Sequence, residues 1–371
     1  MSTLLLSEDE VMLADAARGF LDDAAPVSHL RGLRDAGNTH DAELWAQMAE
    51  MGWTGVLVPE EAGGSDMGHA AAGVLAEEMG KTLVTSPFIS TAVIAATALR
   101  QVSTDRARDA LARISEGKVT YGLAVDEGAK HDPEGATLEA RAEGNGFVLN
   151  GVKSFVVDGA HADRLLVLAR TREGLTVFDL DAEAAGITRT AQAMIDSRDA
   201  AKVDFENVAA TGEDVLGTVD GGMTVLRPAL EAGQAALAAE MLGLSAGAFG
   251  MTVAYLKERK QFGVEIGRFQ ALQHRAAHLW SETELCQSTI RHAGRMLDED
   301  PGNASLAVSL AKAKATQVAK LAVMEGVQMH GGIGMTDAFD MGFYMKRARV
   351  GAEWLGDYGY HAARVAAARG F

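Results

Sequence analysis

Between Ser7 and about Thr104 the apolar residues recur three and four positions apart, as in Val11, Leu13, Ala14, Ala17 and Phe20. That spacing lines one face of a 3.6-residue turn and predicts amphipathic helices. Gly52-Trp-Thr-Gly-Val-Leu-Val-Pro-Glu-Glu-Ala-Gly-Gly-Ser65 interrupts the pattern with glycines and a proline, predicting a long ordered connection. Near Val119 the pattern changes. Short apolar runs at 146–150, 164–168 and 175–180, separated by glycine or acidic turns, predict strands that pair with one another to satisfy their backbones. From Met223 alanine and leucine become frequent, predicting long helices over 226–259, 269–297 and 306–330, with Asp298-Glu-Asp-Pro-Gly-Asn303 as a turn between the last two. The expected architecture is α+β and multidomain: a helical segment 1–118, a β domain 119–222 and a helical bundle 223–371.

Composition narrows the function. With 48% hydrophobic and 23% charged residues in 371, the chain has the balance of a folded globular protein. A net charge of -17 opposes binding to nucleic-acid phosphates or anionic lipid. Cys286 is the one cysteine, so neither an intrachain disulfide nor a cysteine metal cluster can form, which fits a reducing cytoplasm and no metal. The stretch Met1 to Phe20 lacks the basic and apolar regions of an export signal, and no run of about 18 uncharged apolar residues predicts a membrane span.

Several motifs occur in a fixed order. They are Val58-Pro-Glu-Glu-Ala-Gly-Gly-Ser65, Ala76-Glu-Glu-Met-Gly80, Leu149-Asn-Gly-Val-Lys153, Val203-Asp-Phe-Glu-Asn-Val208, Arg259-Lys-Gln-Phe-Gly263 with Phe269-Gln270, and Gln328-Met-His-Gly-Gly-Ile-Gly334. Together they resemble the acyl-CoA dehydrogenase family over nearly the whole chain. The resemblance implies a helical domain, a middle β-barrel and a helical bundle around FAD, with α,β-desaturation of an acyl-CoA thioester. Arg259 offers a planar fork for a diphosphate, Gly331 and Gly332 would let backbone approach a cofactor, and Gln328 could bond its adenosine portion. Gln261, Phe262 and Gln270 complete the implied cofactor set. Alone, Arg259 reads as a solvated helix-end cation and the glycines as a helix stop. Their joint occurrence favours the cofactor reading. In the family these motifs reach the FAD of a neighbouring subunit, which implies at least a dimer and an external acceptor such as an electron-transfer flavoprotein.

The family also needs a carboxylate to take the substrate α-proton. At its usual place this chain has Leu355, and at the alternative place on the preceding long helix it has Gly233. Glu353 and Glu231 are the candidates that remain, with Asp357 and Glu240 also nearby in sequence. The family's Thr-Glu-Pro segment reads Val125-Asp-Glu127, and its Trp-Ile-Thr segment reads Phe155-Val-Val157. Residues acting within one subunit are thus eroded, while those serving a neighbour persist. Gly331-Gly-Ile-Gly-Met-Thr-Asp337 followed by Lys346-Arg347 resembles the small subunits of heteromeric bacterial members of the pimeloyl-CoA and steroid side-chain types. The expectation is a subunit that completes the FAD site of a larger paralogue. A non-catalytic assembly subunit, or a flavin oxidase or monooxygenase on the same scaffold, are the alternatives.

Overall fold

The structure, a computed structural model, describes residues 5–371, so the first four residues of the amino-terminal stretch lie outside it. The helices of the first segment are α1 (Glu8–Ala24), α2 (Val27–Ala36), α3 (Ala42–Glu50), α4 (Gly68–Thr82), α5 (Ala96–Leu99) and α6 (Asp105–Ser115), with a π-helical stretch Phe88–Ala95 leading into α5. α1 starts where Ser7 Oγ accepts from the Glu10 N–H and Glu10 returns a carboxylate oxygen to the Ser7 N–H, a reciprocal cap. The connection 52–65 is ordered as expected. It folds back on itself through Ser65 N to Gly55 O at 3.0 Å and Met67 N to Val56 O at 2.9 Å, and Arg100 donates to the Leu57 carbonyl.

The strands are β1 (Tyr121–Ala124), β2 (Glu139–Glu143), β3 (Gly146–Val157), β4 (Arg164–Arg170), β5 (Leu175–Asp181), β6 (Ile187–Ala191), β7 (Ala200–Thr211) and β8 (Val215–Leu216). They form one sheet in the order β6-β7-β3-β1-β4-β5-β8, and β2 pairs with both β3 and β4. Because β1 also bridges β3 and β4, the four strands β3-β1-β4-β2 close a ring, which is the barrel-like part of the sheet. Inside lie Leu149, Leu165, Phe178, Val203 and Phe205, each at most 2% exposed.

The last segment contains α7 (Met223–Glu258), the short strands β9 (Lys260–Gln261) and β10 (Val264–Glu265), then α8 (Gln270–Glu299), α9 (Ser305–His330), α10 (Met341–Glu353) and α11 (Tyr358–Ala368). α7 is long and apolar enough to cross a membrane, yet 67% of its most apolar stretch is buried within the fold, as expected of a core helix.

By internal contacts the chain divides into two compact units. One comprises Met1–Gly32, His69–Val84 and Gln234–Phe371; the other comprises Leu33–Gly68 and Thr85–Gly233. In the first, α4 and α7 meet backbone to backbone: a Cβ on Gly243 would lie 1.8 Å from the Glu77 carbonyl oxygen. The same unit buries Arg347 completely. Its guanidinium donates to the carbonyls of Val84 at 2.9 Å and Leu83 at 3.3 Å and to the Glu240 carboxylate at 3.2 Å.

Candidate functional site

The Arg259-Lys-Gln-Phe-Gly motif begins where α7 ends. Arg259 still donates its N–H to the Tyr255 carbonyl, and its own carbonyl accepts from the Ile266 N–H at 2.8 Å. Between those anchors β9 and β10 form an antiparallel hairpin whose two loop residues, Phe262 (φ 54°) and Gly263 (φ 82°), are both left-handed. Such loops suit the twist of paired strands and favour glycine at one position. The hairpin presents Phe262, 92% exposed, with its ring edge-on to Phe269 at 6.2 Å. Arg259 and Gln261 are exposed beside it, and the Arg259 guanidinium forms no ion pair among the described residues.

The second motif closes α9. Gln328 is exposed on the last turn, and Gly331 (φ 66°) ends the helix in a conformation that suits glycine. Gly332 is different: a Cβ there would meet nothing within 4 Å, so no contact of this chain demands glycine. Open space over its backbone suits the approach of an external group.

Two contacts bring these motifs to one end of the helices. The Tyr255 ring on α7 lies 4.5 Å from that of His330 on α9, and Phe339 completes a three-ring cluster at 4.7 Å from His330 and 6.1 Å from Tyr255. Arg275 of α8 makes a two-pronged ion pair with Glu325 of α9, at 2.6 and 3.1 Å. Arg259 follows Tyr255 by one turn, Gln328 lies one turn beyond Glu325, and Gln270 opens α8 a turn before Arg275. All the expected cofactor residues thus belong to one assembled surface of one unit. A cation, amide donors and exposed glycine backbone fit the diphosphate and adenosine of a dinucleotide.

The positions at which the resemblance would put a proton-abstracting carboxylate are filled otherwise. Leu355 is 1% exposed and left-handed at φ 58°. Its carbonyl accepts from Gln234 Nε2 at 3.2 Å and lies 3.0 Å from His361 Nε2. Lys312, buried on α9, donates to the carbonyls of Gly351 at 2.9 Å and Gly356 at 3.1 Å, bracketing the same turn. Burial pulls its ammonium down to about 7, against the favourable fields of Glu353 and Asp357. Glu353, at the end of α10, is partly exposed and paired with Arg349. Glu231 and Glu240 are both buried, so neither is the surface charge their sequence context also allowed. Glu240 is committed to Arg347. Glu231 precedes Gly233 by two residues, hence points about 200° around the helix from a side chain at that position.

The segment Val125-Asp-Glu127 is occupied by contacts of its own. Asp126 holds His131 Nδ1 at 2.9 Å. Glu127 accepts from the Thr137 N–H, the Thr137 hydroxyl, the Leu138 N–H and, at 2.7 Å, from Lys153 Nζ. Burial alone would raise Glu127, but these donors take it down to about 2. The same burial lowers the fully enclosed Lys153 ammonium. With four donors on one carboxylate, the pair is ionic. The sequence carries no sign of it, since Lys153 sits mid-strand where a solvent-facing lysine reads the same. Val157 is buried without a hydroxyl, so the two side-chain hydroxyls that the resemblance would place beside a flavin are missing from Val125-Asp-Glu127 and Phe155-Val-Val157.

Residues 7–118 match the acyl-CoA dehydrogenase N-terminal domain and residues 220–369 its C-terminal domain. Among relatives, the short/branched chain specific acyl-CoA dehydrogenase of Rattus norvegicus mitochondria is 26% identical over 361 residues, 94% of this chain and 83% of that protein. The Tcur3481-Tcur3483 steroid ACAD G363A variant superposes with a TM-score of 0.88 at 29% identity, covering 97% of both chains. The ChsE4-ChsE5 complex of Mycobacterium tuberculosis shares the fold, with a TM-score of 0.90 at 24% identity and 98% coverage of both chains. The ordered motifs, the helix-sheet-helix architecture and these matches over both helical segments agree: the chain belongs to the acyl-CoA dehydrogenase family, flavoprotein oxidoreductases acting on CH–CH donors.

Proposed function

We propose that this chain is a subunit of an acyl-CoA dehydrogenase that desaturates a CoA thioester between its α and β carbons, and that it completes the FAD site of a larger paralogous subunit. The observation that carries the reading is an asymmetry. Arg259, Gln261, Phe262, Gln270, Gln328, Gly331 and Gly332 are gathered on one surface, whereas the usual base position is a buried leucine whose turn is fixed by Gln234 and Lys312.

In this role Arg259 neutralises diphosphate charge, Gln328 and Gln270 orient the adenosine portion, and Phe262 covers it from water. When bound, FAD would supply a hydride acceptor for the substrate β-carbon, and a separate acceptor such as an electron-transfer flavoprotein would reoxidise it. The larger subunit supplies the carboxylate that removes the α-proton, a contribution of about 10²- to 10⁴-fold. Glu231 and Glu353 remain the carboxylates of this chain that would serve if it acted alone.

The test is expression of the chain alone, without added FAD, followed by flavin absorbance, oligomeric mass and assay of a panel of acyl-CoAs with an artificial acceptor. The expected result is little flavin and no turnover, with both gained on co-expression with a larger paralogue. Stoichiometric flavin with full turnover in the homo-oligomer would overturn the proposal and turn attention to Glu231 and Glu353.

A further inference from the structure

The proposed function leaves His330, between Gln328 and Gly331, without a role. It is 4% exposed at the end of α9, with the Tyr255 ring at 4.5 Å and the Phe339 ring at 4.7 Å. We propose that His330 is a positioning residue, which as a neutral imidazole locks the Gly331-Gly332 backbone to the Arg259 end of α7 and on protonation lets the two part. The inference rests on the reading of this surface as a cofactor site, and deepens it by making the site's geometry depend on one proton.

The first argument is position. Tyr255 holds the backbone of Arg259 directly, its carbonyl accepting the Arg259 N–H at 2.9 Å, and Phe339 lies on the segment that follows Gly331 and Gly332. His330 packs on both rings, so one imidazole joins the cation of the first motif to the glycines of the second. The far end of the segment is tied separately: Arg31 of α2 donates to the Asp337 carbonyl at 2.8 Å and to the Asp340 carboxylate at 2.6 Å. Between that anchor and the end of α9, the ring cluster is what fixes the path of the backbone.

The second argument is the ring's own bonding. Its Nδ1 lies 2.7 Å from the Gly326 carbonyl, which can only accept, so Nδ1 carries the proton of the neutral ring. Nε2 is buried and has no hydrogen-bond partner among the described residues. A bare lone pair there costs little beside aromatic rings, whereas an added N–H would be a buried charge whose donor finds no acceptor. Burial accordingly lowers the His330 pKa, opposed by the Gly326 carbonyl. Once the segment opens, water solvates the ring and its pKa returns to the ordinary 6.5, so a fall in pH through that value favours the open form. Other titratable and charged groups stand on the elements around it: Tyr255 and Arg259 on α7, Glu325 on α9, Asp337 and Asp340 beside Phe339, and Lys346 on α10. A His330→Phe chain keeps every one of them, so its pH profile isolates the imidazole.

Amide hydrogen exchange of the full chain would be followed by mass spectrometry from about pH 7.5 to 5.5, with His330→Phe and His330→Ala run beside it at each pH to remove the intrinsic pH dependence of exchange. Protection of residues 331–339 in the wild type should fall up to about tenfold across that range relative to His330→Phe, the limit for one proton over one unit below 6.5. His330→Ala, which lacks a ring, should lose the protection at every pH, and His330→Phe should restore it without the pH dependence. Wild-type protection that tracks His330→Phe, or that rises on acidification because the rings favour the imidazolium, would overturn the proposal. In the co-expressed complex, flavin retained by the wild type should fall over the same range, and flavin retained by His330→Phe should not. Flavin content indifferent to pH while exchange responds would overturn the positioning role. A complex without flavin at any pH would instead refute the cofactor reading and leave exchange to decide the lock, so the two can fail separately.

Discussion

The side chain of Gln234 donates to the backbone carbonyl of Leu355 across 121 positions of sequence, at 3.2 Å. Gln234 adjoins Gly233, one position at which the sequence resemblance would put the base, and Leu355 is the other. Neither position carries a carboxylate, and a buried hydrogen bond now stands where proton transfer would be organised. The turn is held in shape by Gln234, Lys312 and His361, all directed at its backbone carbonyls.

Lys312 supports that turn and should leave a signature in stability. Its folded pKa is lowered to about 7, while in the unfolded chain it returns to its ordinary 10.5. Between those values the unfolded chain binds the extra proton, so stability rises with pH across that window, with a slope approaching about 1.4 kcal/mol per unit. Below pH 7 the burden of the buried charge is fully present. Chemical-denaturation curves from pH 6 to 9 should show wild type gaining on Lys312→Met as pH rises; parallel curves would refute the lowered pKa.

Removing Glu240 should be severe. Glu240→Ala takes a carboxylate away from the buried Arg347 guanidinium, a loss of about 3–5 kcal/mol for a broken buried pair. The urea midpoint measures it, and a change below 1 kcal/mol would show that the contacts left to Arg347 suffice.

Gly332→Ala separates structure from function. Its Cβ meets nothing in the chain, so the melting temperature of the isolated protein should stay within about 1 °C, as for a surface change worth under 0.5 kcal/mol. Flavin retained by the co-expressed complex, read as the ratio of absorbance at 450 and 280 nm, should fall, as it should for Arg259→Gln. Unchanged flavin content in both variants would remove this surface from the cofactor site.

Gly243→Ala should do the opposite, destabilising the chain whether or not cofactor is present. The added carbon would lie 1.8 Å from the Glu77 carbonyl oxygen, forcing α4 and α7 apart at a cost at the upper end of the usual 1–3 kcal/mol or beyond. Differential scanning calorimetry reads this directly.

The long helices were legible because their alanine and leucine content persists for many turns: 306–330 was expected to be helical and Ser305–His330 is. The strands were legible only in part. The run at 146–150 continues to Val157 because Lys153, which breaks the apolar pattern, is buried against Glu127 rather than exposed. The π-helical stretch Phe88–Ala95 has no compositional mark, and Phe-Gly is not among the usual turn pairs, so the hairpin at Lys260–Glu265 was missed. At the candidate site, the motifs named residues that the helices bring together, because each motif sits at the end of a long helix. The commitment of Glu240 could not be read, because its partner Arg347 lies 107 positions away.

The hairpin carries a consequence for how the protein must be handled. A phenylalanine 92% exposed on a two-residue loop, with Trp280 at 54% and Leu285 at 57% on α8, is apolar surface in contact with water. Any second polypeptide that covers it binds the folded chain and not the unfolded one. In the proposed assembly, mass action would tie the melting temperature to protein concentration and to the ratio of subunits expressed, and no single stability would belong to the fold by itself.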